Sequence, residues 1–295
     1  MRPPVLAGID GSECAAAAAD WAAREAVLRG TALRLLHVSP EFTGPTAAGP
    51  ARERLHVLGA RLVQRTVESL TARHPDLDVK GEQADEPPAL ALLGAARAAG
   101  LLVVGSRGTG GFRDLVIGSV ALRMAAAAPC PVVLVPPPNS TLADGTAPPR
   151  DTGNIVLGFD AHRPAVEAAD FAFRTADAGA ARLHVVQAWA LPAESVSPRT
   201  FVVTEEDRAT WEDQEVLGLS DALRPWREKY PRVRVATDLM LLHAAEALLN
   251  ASRDADLLVV GRRTDPGAPE GRLGPVAHAV LHHVRCPVAV VPHGA

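Results

Sequence analysis

Residues 105–119 contain the glycine and hydroxyl spacing most suited to chemistry, and they read GSRGTGGFRDLVIGS. An apolar run ends at Gly105, Gly108 follows three residues later, and Gly118 and Ser119 open a predicted helix. Glycine lets backbone N–H groups approach an anion closely, and a helix N-terminus supplies unpaired donors and the positive end of a dipole. The pattern predicts a phosphate-binding loop, with a plain surface turn after a strand as the alternative.

The chain carries an internal duplication. Leu-Leu-Val-Val-Gly occurs at 101–105 and again at 257–261, and Cys-Pro-Val occurs at 130–132 and again at 286–288, with the copies 156 residues apart in both cases. Landmarks repeated in the same order indicate a duplicated domain. Because residues 136–153 are rich in proline and glycine, we predict domains at 1–138 and 154–295, joined by a linker at 139–153.

Composition limits the class of protein. The 295 residues suffice for two domains of ordinary size, and the net charge of −4 argues against a nucleic-acid partner. The sequence shows neither the 18–20 residue apolar run of a membrane span nor the pattern of a signal peptide, so we expect no membrane partner and a cytoplasmic location. Cys14, Cys130 and Cys286 do not have the spacing of metal ligands.

Short apolar runs alternate with longer amphipathic ones, which predicts a parallel sheet covered by helices on both faces. Leucines at helical spacing between Leu55 and Leu70 predict a helix after a loop at 39–50. In the first half, strands are predicted at 4–10, 33–38, 77–82, 101–105 and 132–135, and other helices at 13–29, at 86–98 and from Gly118.

The pattern Gly-x2-Gly-x9-Gly-Ser after a buried strand resembles the nucleotide-binding motif of the universal stress protein family, and the duplication extends the resemblance over nearly the whole chain. It implies an α/β fold of two tandem doubly wound domains, each a five-stranded parallel sheet in the order 3-2-1-4-5 with helices on both faces. In that order the topological switch point lies between strands 1 and 4, which end at Asp10 and Gly105. Open α/β sheets bind ligands at such a point.

The resemblance also implies a ligand, ATP with or without Mg²⁺, and the residues that contact it. Gly8 and Asp10 would line the nucleotide, and Val38 would pack on the adenine. Asp10 could instead serve only as the N-cap of the first helix, a common use of aspartate. The residues implied for the ribose and phosphates are Gly105, Ser106, Arg107, Gly108, Thr109, Gly110, Gly111, Gly118, Ser119 and Val120.

Other nucleotide motifs do not fit, because the chain has no Gly-x4-Gly-Lys-Ser/Thr and no Gly-x-Gly-x-x-Gly after its first strand. In the second copy of the loop, Thr264 replaces the second glycine and Pro275 replaces the serine. Side-chain bulk and a missing N–H both oppose phosphate binding, so we predict a degenerate second site. The positive charges of Arg262 and Arg263 would instead favour phosphate binding in the second site.

The sequence patterns that would indicate catalytic residues or a metal site are weaker than the pattern for phosphate binding. His278 and His282 lie four residues apart on a predicted helix, but no His-Glu-x-x-His pattern accompanies them, so we expect no metal site. We assign no catalytic residue. The sequence favours an ATP-binding, nucleotide-responsive regulator of stress or growth state with at most slow hydrolysis. A nucleotide-hydrolysing or transferring enzyme and a nucleotide-free interaction scaffold are the alternatives.

Each half ends in a short apolar strand, at 132–135 and 288–291. By the implied strand order these strands lie at sheet edges, and pairing them would remove an exposed apolar edge. We therefore expect the halves to form an intramolecular pseudo-dimer, which a charge at Val133 and Val290 would separate. Association of two chains into a homodimer is compatible with the sequence but not required by it.

Overall fold

The computed structural model describes residues 2–39, 50–109, 117–138, 153–190, 204–264 and 271–294. Nearly all of the predicted loop at 39–50 and of the predicted linker lies outside this part of the chain. The elements of the first half are β1 (Val5–Ile9), α1 (Glu13–Arg29), β2 (Leu33–Val38), α2 (Pro50–Arg73), β3 (Val79–Ala84), α3 (Pro88–Ala96), β4 (Leu101–Gly105), α4 (Ser119–Ala127) and β5 (Val132–Val135).

The second half repeats this order of strands and helices. Its elements are β6 (Asn154–Gly158), α5 (Val166–Ala178), β7 (Arg182–Ala188), α6 (Glu205–Lys229), β8 (Arg234–Met240), α7 (Ala244–Ala251), β9 (Leu257–Arg263), α8 (Pro275–His283) and β10 (Val288–His293).

The ten strands form one continuous sheet in the order β3-β2-β1-β4-β5-β10-β9-β6-β7-β8. Each half contributes five parallel strands in the order 3-2-1-4-5, so the predicted fold class is confirmed. The halves join where β5 and β10 pair antiparallel, with Val133 opposite Ala289 and Val132 opposite Val290. The apolar core on each face of the sheet contains residues of both halves.

Alanine lets α1 lie close to the sheet. Ala18, Ala22 and Ala26 on its inner face are fully buried, and their small side chains permit a short distance between helix and strands. At the closest point, a Cβ added to Gly105 of β4 would lie 2.8 Å from the carbonyl carbon of Cys14. Only glycine fits there. Gly105 is therefore required for the packing of α1 on β4, whether or not it also contacts a ligand.

The third strand lies two residues later than predicted, at Val79–Ala84 instead of 77–82. Leu77 is buried but belongs to the turn after α2, where its N–H donates to the carbonyl of His74. β3 is an edge strand and is largely exposed, so its sequence lacks a clear apolar alternation. Within the described residues, no helix combines the length and hydropathy that crossing a membrane requires.

Candidate functional site

A cavity of about 360 Å³ opens at the carboxyl ends of β1 and β4, the predicted switch point. This size lies in the range of small-molecule pockets, roughly 300–1,000 Å³. Its walls come from β1, β2 and β4, the start of α1, α3, the described part of the loop between β4 and α4 (residues 106–118, the glycine loop) and the first turn of α4. The lining residues are Gly8, Ile9, Asp10, Ala15, Leu36, His37, Val38, Pro88, Leu92, Val104, Gly105, Arg107, Gly108, Thr109, Gly118, Ser119, Val120 and Ala121.

Asp10 fastens the glycine loop to the end of β1. Its Oδ1 accepts a hydrogen bond from the N–H of Ser12 at 2.9 Å, and its Oδ2 accepts one from the N–H of Thr109 at 2.9 Å. The N-cap of α1 is Ser12, whose hydroxyl accepts from the N–H of Ala15 at 3.1 Å. The alternative that Asp10 serves only as the cap is therefore wrong.

Gly108 is required by its contact with Asp10. A Cβ added to Gly108 would lie 2.4 Å from the Oδ2 atom of Asp10, which is far inside van der Waals contact. The loop can pass this carboxylate only because residue 108 lacks a side chain. The sequence motif therefore reflects the packing of Asp10 against the loop.

Gly118 is the N-cap of α4 and brings no side chain to its first turn. The first N–H groups of a helix have no intrahelical partner. In α4 these groups belong to Ser119, Val120 and Ala121, which line the cavity. The N-terminus of α4 therefore offers backbone donors and a positive dipole end to a bound anion.

The opposite part of the cavity is apolar. Leu36 and Val38 at the end of β2 and Pro88 and Leu92 of α3 line it, and Leu36, Val38 and Leu92 belong to one apolar cluster. Gly8 keeps this part open, because a Cβ there would lie 3.2 Å from the Cδ2 atom of Leu92. The cavity thus joins an apolar end to a polar end that is rich in N–H groups.

The predicted site residues are largely brought together. Within the described residues, the predicted residue that does not line the cavity is Ser106. Its N–H donates to Val135 and its carbonyl accepts from Gly118, each at 2.8 Å, so it ties the loop to β5 and α4. Gly110 and Gly111 lie outside the described residues.

Sequence reasoning missed His37, which is buried in the wall of the cavity. Its Nδ1–H donates to the carbonyl of Ile9, its register partner on β1, at 2.9 Å. Gly59 of α2 lies directly against the imidazole, because a Cβ added there would be 2.6 Å from its Cδ2 atom. Its position in the sequence could have indicated this role, because His37 directly precedes Val38 at the carboxyl end of the strand beside β1.

The residues that begin the equivalent loop of the second half, 261–264, follow a different course from 105–108. β9 continues two residues past Gly261, and Arg263 pairs with His293 of β10. The N–H and the hydroxyl of Thr264 both donate to the carbonyl of His293, at 2.9 and 2.8 Å. The His293 ring also lies close to Gly261, 3.0 Å from where a Cβ would be. The backbone that turns into the glycine loop in the first half is held in the sheet here.

Arg262 does not face the second site. The residue is only 6% exposed, and its Nη2 donates to the carbonyl of Ala128 at the end of α4 in the first half, at 2.6 Å. Burial lowers the pKa of its guanidinium, and the nearby Cys130 opposes that shift. The argument that Arg262 could hold phosphate in the second site therefore fails on geometry.

Polar side chains link the start of the second site to α6. Gln187, at the position equivalent to His37, accepts from the N–H of Ala161 at 3.0 Å and donates to Glu215 at 2.7 Å. His162 lies 3.0 Å from the same carboxylate. These contacts place a carboxylate beside the region where a nucleotide would lie, which disfavours an anionic ligand.

The rings of His278 and His282 on α8 lie next to each other, with centroids 4.7 Å apart and their planes tilted by 43°. Burial, followed by the charges of His278 and His283, lowers the pKa of His282. Over the described ranges, no group of three or more His, Cys, Asp or Glu residues could hold a metal ion.

Comparisons with known proteins agree with this architecture. The model of the universal stress protein family matches residues 1–136 and 152–292. A universal stress protein of Mycolicibacterium smegmatis is 29% identical over 297 residues, covering 97% of this chain and 96% of the relative. One from Mycobacterium tuberculosis is 29% identical over 294 residues, with the same coverage.

Solved structures show the same fold. The crystal structure of a universal stress protein from Archaeoglobus fulgidus superposes with a TM-score of 0.66 at 15% identity, covering 99% of both chains. A putative universal stress protein from Pseudomonas aeruginosa gives 0.59 at 18% identity, covering 99% of this chain and 94% of the other. With a family match over both halves and the strand order of the fold in each, the chain belongs to the universal stress protein family.

Proposed function

We propose that this protein binds ATP in its first half and acts as a nucleotide-responsive regulator of stress or growth state. The observation that carries the proposal is the cavity between β1 and β4, which is lined by apolar side chains, by the glycine loop and by the N-terminus of α4, where the Gly118 cap supplies no side chain. An anion at such a terminus is stabilised by direct N–H donors and by the helix dipole.

The two ends of the cavity suit the two ends of a nucleotide. The base would lie in the apolar part, against Leu36, Val38 and Leu92. The phosphates would lie at the glycine loop and the first turn of α4. Asp10 also lines the cavity, and its carboxylate can accept a hydrogen bond from a ribose hydroxyl or contribute an oxygen ligand to Mg²⁺. We propose these contacts because the chemistry of the lining residues matches the base, ribose and phosphates of the ligand.

The lining favours binding over fast catalysis. Among the described lining residues, the ionisable side chains are Asp10, His37 and Arg107. Asp10 is hydrogen-bonded to two backbone amides, and His37 is hydrogen-bonded to the carbonyl of Ile9. Neither is paired with a nucleophile, as an activated nucleophile would require. We therefore propose at most slow hydrolysis, and we rank the enzyme alternative below the regulator.

The scaffold alternative requires a loop that has lost its ligand. In the first half, Gly108 keeps its close contact with Asp10 and the first turn of α4 lines the cavity, whereas the start of the second loop, residues 262–264, is held in the sheet. This difference between the halves supports a ligand in the first half and a degenerate site in the second. Mass spectrometry of gently purified protein tests for a nucleotide that co-purifies.

Titration calorimetry of the full chain with ATP, using two matched glycine variants, tests the site. Gly118 and Gly274 are the N-caps of α4 and α8 with similar extended backbones, and both have room for a Cβ. We expect one ATP per chain. Gly118→Ala should weaken binding by about 1–3 kcal/mol through impaired hydrogen bonds to phosphate, and Gly274→Ala should leave it unchanged. A wild-type protein that does not bind ATP, or a loss confined to Gly274→Ala, would overturn the proposal.

We also propose that residues 1–138 and 154–295 form an intramolecular pseudo-dimer joined by the linker at 139–153. The antiparallel pairing of β5 with β10 and the shared cores support it. A cytoplasmic location suits a protein whose ligand is ATP. Sedimentation at several protein concentrations distinguishes a monomeric chain from a homodimer of two chains.

A further inference from the structure

Helix α4 connects the nucleotide cavity to the second half of the protein. Its first residues, Ser119 and Val120, line the cavity. Its C-cap residue, Ala128, accepts the hydrogen bond from Arg262 through its carbonyl. One nine-residue helix therefore has the proposed phosphate contact at one end and a contact with the other domain at the opposite end.

The contact at the C-terminal end is a buried charge. Removing a guanidinium from water costs free energy, so favourable interactions at the buried position must offset that cost. The carbonyl of Ala128 and the negative end of the α4 dipole provide it. Arg262 follows Gly261 as Ser106 follows Gly105 in the first half, so the second copy places a long cation where the first has a small loop residue.

A second contact holds the same end of the helix. Gly271 has a φ of +69°, and a Cβ added to it would lie 2.0 Å from the carbonyl oxygen of Ala126 and 2.8 Å from the Cα of Ala127. The backbone of the second half therefore packs directly on the last turn of α4. Met124, inside the helix, is fully buried, so α4 is packed along its length.

We propose that Arg262 is a positioning residue for nucleotide binding, which holds α4 so that its N-terminal amides face the phosphates of ATP. A short packed helix moves as a unit, so a displacement at Ala128 is transmitted to Ser119 and Val120. The second half, in which residues 262–264 are held in the sheet, thereby supports the site of the first. This inference rests on the proposed function.

The coupling has a direction that can be measured. The N-terminus of α4 lies at the proposed phosphate end of the cavity. Loss of the contact between Arg262 and Ala128 should therefore weaken the binding of ATP but not of adenosine, which lacks phosphate. The ratio of the two affinities therefore separates positioning from a general loss of structure. By linkage, bound ATP must in turn favour the arrangement in which Arg262 contacts Ala128.

Titration calorimetry of the full-length wild type and three variants tests this inference. Arg262→Met removes the guanidinium and its charge while keeping an unbranched apolar side chain, and we expect it to weaken ATP binding by about tenfold with adenosine binding unchanged. Arg262→Lys keeps the charge and should restore part of the loss. Arg263→Met, at the exposed neighbouring position, should match the wild type.

Two results would overturn the inference while leaving the proposed function intact: equal ATP affinity in Arg262→Met and wild type, or equal losses of ATP and adenosine. A wild-type protein that binds no ATP would instead remove the proposed function. Thermal unfolding first establishes that each variant is folded. If Arg262→Met does not fold, Arg262→Lys decides: a ratio of ATP to adenosine affinity several-fold below wild type supports the inference, and an unchanged ratio overturns it.

Discussion

The Oδ2 atom of Asp10 accepts a hydrogen bond from the N–H of Thr109 across 99 residues of sequence, at 2.9 Å. The same oxygen lies 2.4 Å from the point where a Cβ on Gly108 would be. These two contacts make the aspartate after β1 and the glycine after β4 parts of one packing arrangement. The geometry of the loop therefore depends on both residues together.

Substitutions at Asp10 and Gly108 should not be additive. Gly108→Ala alone should displace the carboxylate and break the hydrogen bond to Thr109, which we expect to lower the free energy of unfolding by about 1–3 kcal/mol and to weaken ATP. In the background of Asp10→Ala, the same Gly108→Ala change should cost much less, because the clashing atom is gone. Denaturant unfolding and calorimetry of the four proteins measure both quantities.

Gly94→Ala is the control for this cycle. Gly94 lies within α3, and a Cβ there meets no atom within 4 Å. Alanine in a helix interior should stabilise the protein by about 0.5–1 kcal/mol relative to glycine and leave ATP affinity unchanged. Additive effects of Asp10→Ala and Gly108→Ala would show that the two residues do not share the contact described above.

The two halves should unfold in one transition, because each apolar core contains residues of both. The structure also corrects the expectation that charges at Val133 and Val290 separate the halves. Val133 lies opposite Ala289, Val290 lies opposite Val132, and both valines are fully buried in packed cores. An unpaired carboxylate there should destabilise the protein by about 4 kcal/mol or more.

Calorimetry checks this prediction through the ratio of calorimetric to van't Hoff enthalpy, which is expected to be near 1 for a single transition. Val133→Glu should lower the temperature of the single unfolding transition without splitting it into two. Val216→Glu, on the exposed face of α6, should change stability by no more than about 0.5 kcal/mol. Two resolved transitions in the wild type would contradict the prediction.

His282 should make the protein less stable in mild acid. Burial, with the charges of His278 and His283, lowers the pKa of its imidazole below the ordinary value of 6.5. The unfolded chain therefore binds the proton more readily, so the contribution of His282 is complete above pH 6.5 and is lost as pH falls toward the folded pKa. Denaturant unfolding from pH 8 to pH 5 should show a smaller decline in His282→Gln than in wild type.

His243→Gln, at an exposed position before α7, is the matched control and should decline with pH as the wild type does. Equal declines in wild type and His282→Gln would show that His282 makes no net contribution. A steeper decline in His282→Gln would reverse the sign of the predicted pKa shift.

The sequence by itself determined the parts of this protein that depend on local pattern and repetition. Apolar runs of strand length fixed the places of β1, β2, β4 and β5, and the repeated Cys-Pro-Val landmarks showed the duplication. The edge strand β3 was misplaced by two residues because its exposed position imposes no alternation. The strand order came from family resemblance, since hydropathy does not specify which strands are neighbours.

Only the tertiary structure decided what the individual side chains do. It assigned the cap of α1 to Ser12 and left Asp10 to hold the loop, and it placed His37 in the cavity wall. It directed Arg262 away from its own loop and onto the α4 helix of the first half. Apart from the local Ser12 cap, these contacts join residues far apart in the chain, so they depend on the packing of helices and sheet in three dimensions. Local spacing identified the loop glycines, but it does not specify which distant side chains meet them.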